Sequence, residues 1–275
     1  MDIHSSLRQP VATARAFVHM GWRAATSYPI GLVLTSLLSI VPIFTAYFIN
    51  RLIQPSNNSI GQEYFVFVAL GVLAFIFVNR IIMDFTVELD SAIQQGRLEM
   101  FLIEPIPWRA LPVGLALWPA VLNVLIAALV LVLTIALGAH YRLAGVGPAL
   151  VIVLLGVVSA IGIGILTGSV RVLAKKSDPV SALYNIATTV LAGLWYPVGV
   201  LPKGLRLLAW SLPTMYANSG LRKAMMPHAR SIYGPNAVQA IVGLLVLNAI
   251  LYPFALWLFG RSLNYGRKMG VLAGY

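Results

Sequence analysis

Six stretches of this 275-residue chain run without one charged side chain: 24–50, 64–79, 110–139, 143–170, 179–202 and 231–260. A helix needs roughly 20 mostly apolar residues to cross the hydrocarbon core. Backbone groups in lipid must also find their hydrogen bonds inside the protein, which leaves helices or closed barrels as spanning structures. Nothing in the sequence alternates in the short segments of a β-barrel. The runs therefore predict an all-α integral membrane protein with six transmembrane helices. The second run is short, and Ile81, Ile82 and Met83 extend it if Arg80 snorkels to the interface.

Charged residues make up 10% of the chain, against about 25% in a soluble domain. The net charge of +11 would point to nucleic acid in a soluble protein. Here the cations are confined to short polar segments, which assigns them to cytoplasmic anchoring and anionic lipid headgroups, with no nucleic-acid partner. Arg8, Arg15 and Arg23 precede the first run as in a signal peptide, but the run is too long for an h-region and reads as a retained span. Six spans put both termini on one side. With that side cytoplasmic, the inner segments carry Arg8, Arg15, Arg23, Arg97, Arg109, Arg171, Lys175, Lys176, Arg261, Arg267 and Lys268. The outer loops carry Arg51, Arg142, Lys203, Arg206, Arg222, Lys223 and Arg230. Eleven cations inside against seven outside orient the chain as a multi-pass protein of the cell membrane.

Residues 5–25 place Leu7, Val11, Ala14, Val18 and Trp22 at helical spacing, with Arg8, Arg15 and His19 on other faces. That pattern predicts an amphipathic interfacial helix. The inner loop ELDSAIQQGRLEMFLIEPIPW holds four of the chain's eight acids, and its residues 91–103 predict a short helix ended by Pro105 and Pro107. A mixed-charge helix with an apolar face suits docking into a groove on a soluble partner; a solvated loop is the plain alternative. Gly156, Ala160, Gly164 and Gly168 recur every four residues and predict a close helix–helix contact, within the chain or between chains. Ser36 and Ser39 in the first span, and Tyr184, Asn185, Thr188 and Thr189 in the fifth, face either a translocation path or neighbouring helices. Trp195 and Tyr196 are further candidates for that path and read most simply as an interfacial aromatic belt. Arg80 and Asp84 read as a boundary ion pair at the cytoplasmic end of span two, with a substrate site as the alternative. The broken apolar stretch after span five predicts re-entrant outer helices over 198–224.

No G-x-x-x-x-G-K-[ST] occurs, so the chain presents no P-loop for ATP. It has no cysteine, no H-E-x-x-H, and four scattered histidines, which leaves no metal-ligand spacing. No carboxylate is expected in the middle of a span, which disfavours a proton-coupled carrier. A sodium-coupled or passive carrier, and a non-transporting scaffold subunit, remain as alternatives.

The loop QQGRLEMFLIEPIPW resembles the coupling segment of the permease subunits of ABC-2-type exporters. The order Tyr196–Pro197, Leu201–Pro202, Leu212–Pro213 and Leu221–Arg222 is similar to that family's outer region, and the resemblance covers nearly the whole chain, residues 1–275 as one transmembrane domain. It implies two permeases paired as a homo- or heterodimer, each docking a cytoplasmic ABC ATPase that binds ATP and Mg, this chain holding no cofactor. It further implies a coupling helix at 91–104, including Gln94, Gly96, Arg97, Leu98, Glu99, Phe101 and Leu102. Cargo would pass between the permeases along spans one, two and five, and the outer-loop cations would favour an anionic or lipid-linked cargo.

Overall fold

The computed structural model describes residues 3–27, 29–53, 58–97, 100, 109–174, 179–226 and 234–268. Every regular element among them is helical. In chain order these are α1 (Ile3–Ser27), α2 (Pro29–Ile53), α3 (Asn58–Phe75), a π-helical segment (Ile76–Arg80), α4 (Ile81–Gln94), α5 (Ala110–Ala136), α6 (Val146–Ala174), α7 (Pro179–Leu191), α8 (Lys203–Ala209), α9 (Pro213–Met225) and α10 (Ala237–Lys268). Five helical stretches are long and apolar enough to cross a membrane: Pro29–Leu52, Tyr64–Gln94, Ala110–Ala136, Leu143–Val172 and Ala237–Tyr265.

The expected fifth span over 179–202 is not one helix. α7 stops after 13 residues, about 20 Å at 1.5 Å per residue. Gly193 then takes the left-handed conformation at φ 71°, and Pro197 leads into a three-residue 3-10 turn, Val198–Val200. α8 and α9 follow, with Pro213 opening α9 at a position where its missing N–H costs no helical bond.

Span two differs in the other direction. α3, the π segment and α4 form one continuous helix, of which Tyr64–Gln94 is the 31-residue apolar part. Arg80 and Asp84 therefore lie near the middle of that helix and not at its end. The extra residue of the π turn rotates the side chains that follow, as such bulges do at functional positions.

This helix is the axis of the molecule, buried along most of its length. α6 lies along one side of it. A Cβ on Gly156 would meet the Phe77 ring at 2.7 Å, one on Gly164 would meet Phe85 at 3.0 Å, and one on Gly168 would meet Leu89 at 2.7 Å. Ala160, between them, is fully buried. The small-residue face is thus spent inside the chain, seating three large side chains of span two. α10 packs on α6, where the Ser159 hydroxyl donates to Asn248 Oδ1 at 2.8 Å.

α1 docks on α5. Phe17 is buried, and a Cβ on Gly114 would meet its ring at 2.5 Å. Trp22 meets Trp118 edge to face at 6.1 Å while remaining 54% exposed. The face turned to the bundle therefore centres on Phe17, which the expected apolar stripe had left out.

Candidate functional site

Span two opens to the outside along one narrow strip. Met83 and Val87 are exposed, and Arg80, Asp84 and Glu88 are half-buried. The strip follows i, i+3, i+4, i+7 spacing, one face of a helix. The Arg80 guanidinium donates to the Ser39 hydroxyl and to Thr35 O at 3.4 Å, both on α2. On the α7 side, Asn185 Nδ2 approaches the Met83 sulfur at 2.9 Å, and the Thr86 and Ser181 hydroxyls share a hydrogen bond of 3.2 Å. Asp84 Oδ2 accepts from Asn123 Nδ2 at 2.6 Å, halfway along α5. Arg80 and Asp84 thus engage α2 and α5, and the expected boundary ion pair does not form.

A buried polar layer closes the strip toward α9. Thr214, at the start of α9, donates to Asn79 Oδ1 at 3.3 Å and shares a 3.2 Å hydrogen bond with the Tyr184 hydroxyl. The tip of the α8–α9 hairpin thereby reaches the π segment, the middle of span two. The other end of α9 carries Arg222, one of the largest fully buried side chains. Its Nε donates to Phe67 O at 3.0 Å, Nη1 to Gly193 O at 2.6 Å and Nη2 to Leu194 O at 2.8 Å. The guanidinium also lies 3.4 Å from the centre of the Phe67 ring. Three carbonyl dipoles and a ring face stabilise a cation that has no carboxylate partner among the described residues. Gly71 makes room for it, since a Cβ there would meet Nη2 at 2.5 Å.

Arg222 is therefore a clamp between α3, the turn after α7, and α9. It is withdrawn from the outer-loop cations expected to face an anionic cargo. Arg206 likewise donates to Gly199 O at 2.8 Å and Leu201 O at 3.1 Å.

Of the other polar residues singled out in the sequence, Ser36 donates to Leu32 O at 2.9 Å, and Thr189 to Asn185 O at 2.8 Å, within their own helices. Thr188 is buried and donates to Tyr184 O at 2.9 Å. Ser39 and Asn185 contact span two, whereas Trp195 is half-buried and Tyr196 donates to Val190 O. The sequence reading missed Asn79, Asn123 and Thr214. Each stands alone in an apolar or loop context, so only the fold brings them together.

At the end of span two, Glu88 and Arg97 pair at 3.4 Å. Asp90 receives two bonds from Arg171 of α6, at 2.6 and 2.8 Å, a bidentate geometry. The predicted single helix over 91–103 does not form as such. Residues up to Gln94 are the last turn of α4, and Gly96 breaks it at φ 67°. Arg97 follows the break; Leu98, Glu99, Phe101 and Leu102 lie outside the described residues.

A multi-pass helical membrane protein with a polar strip on its central helix is the class this geometry defines. The model of the ABC-2 type transporter family matches residues 11–226. The chain belongs to that family: it is a transmembrane permease of an ABC transporter, not itself the ATPase, and the family implies an ABC ATPase partner. No curated protein matches the chain.

Proposed function

We propose that the chain forms the membrane half of an ATP-driven exporter, in which two permeases face each other across the open strip of span two. The observation that carries this reading is the strip itself. A helix otherwise packed on all sides presents Arg80, Met83, Asp84 and Val87 between α2 and α7. Charged groups at that depth are costly against lipid and are normally kept for a protein-lined or water-filled path. α2 and α7 flank the strip with apolar side chains, among them Leu37, Val41, Leu183 and Ile186, suited to a second permease.

In this proposal ATP and Mg bind the cytoplasmic partner, and the segment 91–104 is the hook that transmits its closure. The α8–α9 hairpin acts as a re-entrant gate on the outer side. The pair switches between closed and open states because the ATPase binds the two states with different affinity.

The chain has no cysteine, so a single Val87→Cys can be placed in an unreactive background. Val87→Cys should cross-link two permeases through a short bis-maleimide in membranes, and Val242→Cys on α10, also exposed, should not. Cross-linking at Val242 but not at Val87 would put the pairing face elsewhere. In liposomes with the ATPase, Leu98→Glu and Phe101→Glu should abolish transport while membrane insertion persists. Normal transport by both variants would remove the coupling assignment.

A further inference from the structure

The middle of span two carries two opposite charges, one turn apart, that do not meet each other. Arg80 and Asp84 are four residues apart on one continuous helix, a rise of about 6 Å at 1.5 Å per residue. Each is only partly engaged. Among the described residues the Arg80 guanidinium is bonded through Nη1, to Ser39 and Thr35 O, which leaves Nε and Nη2. Asp84 accepts through Oδ2, from Asn123 Nδ2 at 2.6 Å, which leaves Oδ1. Asn123 is fully buried, and its Nδ2 also donates to Pro119 O at 2.9 Å, so the amide holds the carboxylate in place. The ion pairs Glu88–Arg97 and Asp90–Arg171 lie further along, toward the end of α4.

We propose that a second, identical copy of the chain supplies the missing partners: in the closed dimer, Arg80 of each copy pairs with Asp84 of the other. The crossed pairs rest on the pairing of permeases across the strip proposed above, and they name the contact that holds it. Two copies inserted in the same direction are related by a two-fold axis along the membrane normal. Their span-two helices then run parallel, with Arg80 level with Arg80 and Asp84 level with Asp84. Contacts between equal charges at equal depth are repulsive, whereas a displacement of one turn joins opposite charges. The two-fold makes that contact twice. Arginine and aspartate bridge the same axial offset within a single helix, and packed helices stand only about 8–10 Å apart.

The ridge is open to such a partner. Met83 is 41% exposed and Val87 67% exposed on the same face, so the strip stands clear of α2 and α7 and is not sunk between them. The apolar flanks raise the cost of leaving either charge unpaired, and a two-fold mate supplies both counter-ions at once. Glu88, one turn beyond Asp84, is held by Arg97 of its own chain at 3.4 Å and does not compete for the partner's Arg80. Opening the path separates both crossed pairs together, which makes them a latch on the closed state.

The cysteine-free chain allows Val87→Cys to report pairing by bis-maleimide cross-linking between two differently tagged copies expressed together. On that parent background, Arg80→Asp gives a strip with two acids and Asp84→Arg a strip with two cations. Either variant alone should cross-link about tenfold less than the parent, because like charges meet across the axis. Expressed together, the two should cross-link to each other at close to the parent level, since both crossed pairs are restored in the mixed dimer. A repulsion confined within one chain would not be relieved by mixing. Amounts in the membrane fraction identify a variant that fails to insert. The neutral Arg80→Gln and Asp84→Asn then carry the same criterion, their mixed dimer keeping one crossed pair and each variant alone keeping none. The proposal is overturned if the parent cross-links and mixing gives no gain over either variant alone, or if both single variants cross-link like the parent. If the parent itself does not cross-link through Val87→Cys, pairing across the strip is what has failed, and the crossed pairs fall with it.

Discussion

Arg222 shows how differently one side chain reads before and after folding. Its neighbours in sequence, Lys223 and the stretch to Arg230, mark it as a loop cation. Its partners are carbonyls 155, 29 and 28 positions away, and no local pattern points to them. Removing it would strand three buried acceptors, each costing about 1–3 kcal/mol. Arg222→Ala should therefore destabilise the protein by about 3 kcal/mol or more, read as a lowered thermal midpoint in detergent. Arg222→Lys should recover only part, because an ammonium cannot spread a planar fork over three carbonyls. Gly71→Ala tests the same clamp from the other side. The added methyl would meet Arg222 Nη2 at 2.5 Å and Leu194 O at 2.7 Å, an overpacking worth about 1–3 kcal/mol. A wild-type midpoint in all three variants would show that the clamp contributes nothing to stability.

Helices in this chain announce themselves when their apolar runs are long and regular. α2, α5, α6 and α10 follow directly from charge-free stretches, because the cost of an unpaired backbone in lipid leaves no other conformation open. α7 was illegible for the same reason. The run over 179–202 is apolar throughout, and nothing in hydropathy reveals that Gly193 turns back at positive φ. In span two, Arg80 and Asp84 read as a pair with each other until Ser39 and Asn123 are seen to be their partners. The functional strip was correspondingly half legible: Ser39, Tyr184 and Asn185 were marked by being polar within apolar runs, whereas Asn79 and Thr214 acquire meaning only from each other. The docking of α1 was also hidden, since Gly114 signals a contact only once Phe17 lies on it. Gly114→Leu should displace that ring and release α1 from α5. Faster proteolysis after Arg15 and Arg23, both exposed, with the remaining bundle intact, is the expected result; an unchanged cleavage rate would mean that α1 is held by other contacts.

On the scale of the whole molecule, contacts between helices place Asp90 beside Arg171, and Arg109 beside Arg261, at the end of the bundle where α4 stops, and Arg142 beside Met225 at the other. The proposed ATPase hook lies at the first end and requires it to face the cytosol. The fold sharpens the charge asymmetry behind that orientation. Arg222 is taken out of the outer loops and into the bundle, which lowers the outer count that had opposed the assignment, and the positive-inside bias acts through loop cations. The absence of cysteine allows a direct measurement with a membrane-impermeant maleimide. His140→Cys, exposed in the turn between α5 and α6, should label in intact cells. Gln94→Cys, exposed at the end of α4, should label only after the membrane is opened. The reverse pattern would place the 91–104 segment outside the cell, beyond reach of any cytoplasmic ATPase. The proposed coupling to an ATPase would then lose its physical basis, whereas the helix packing and the Arg222 clamp would stand unchanged.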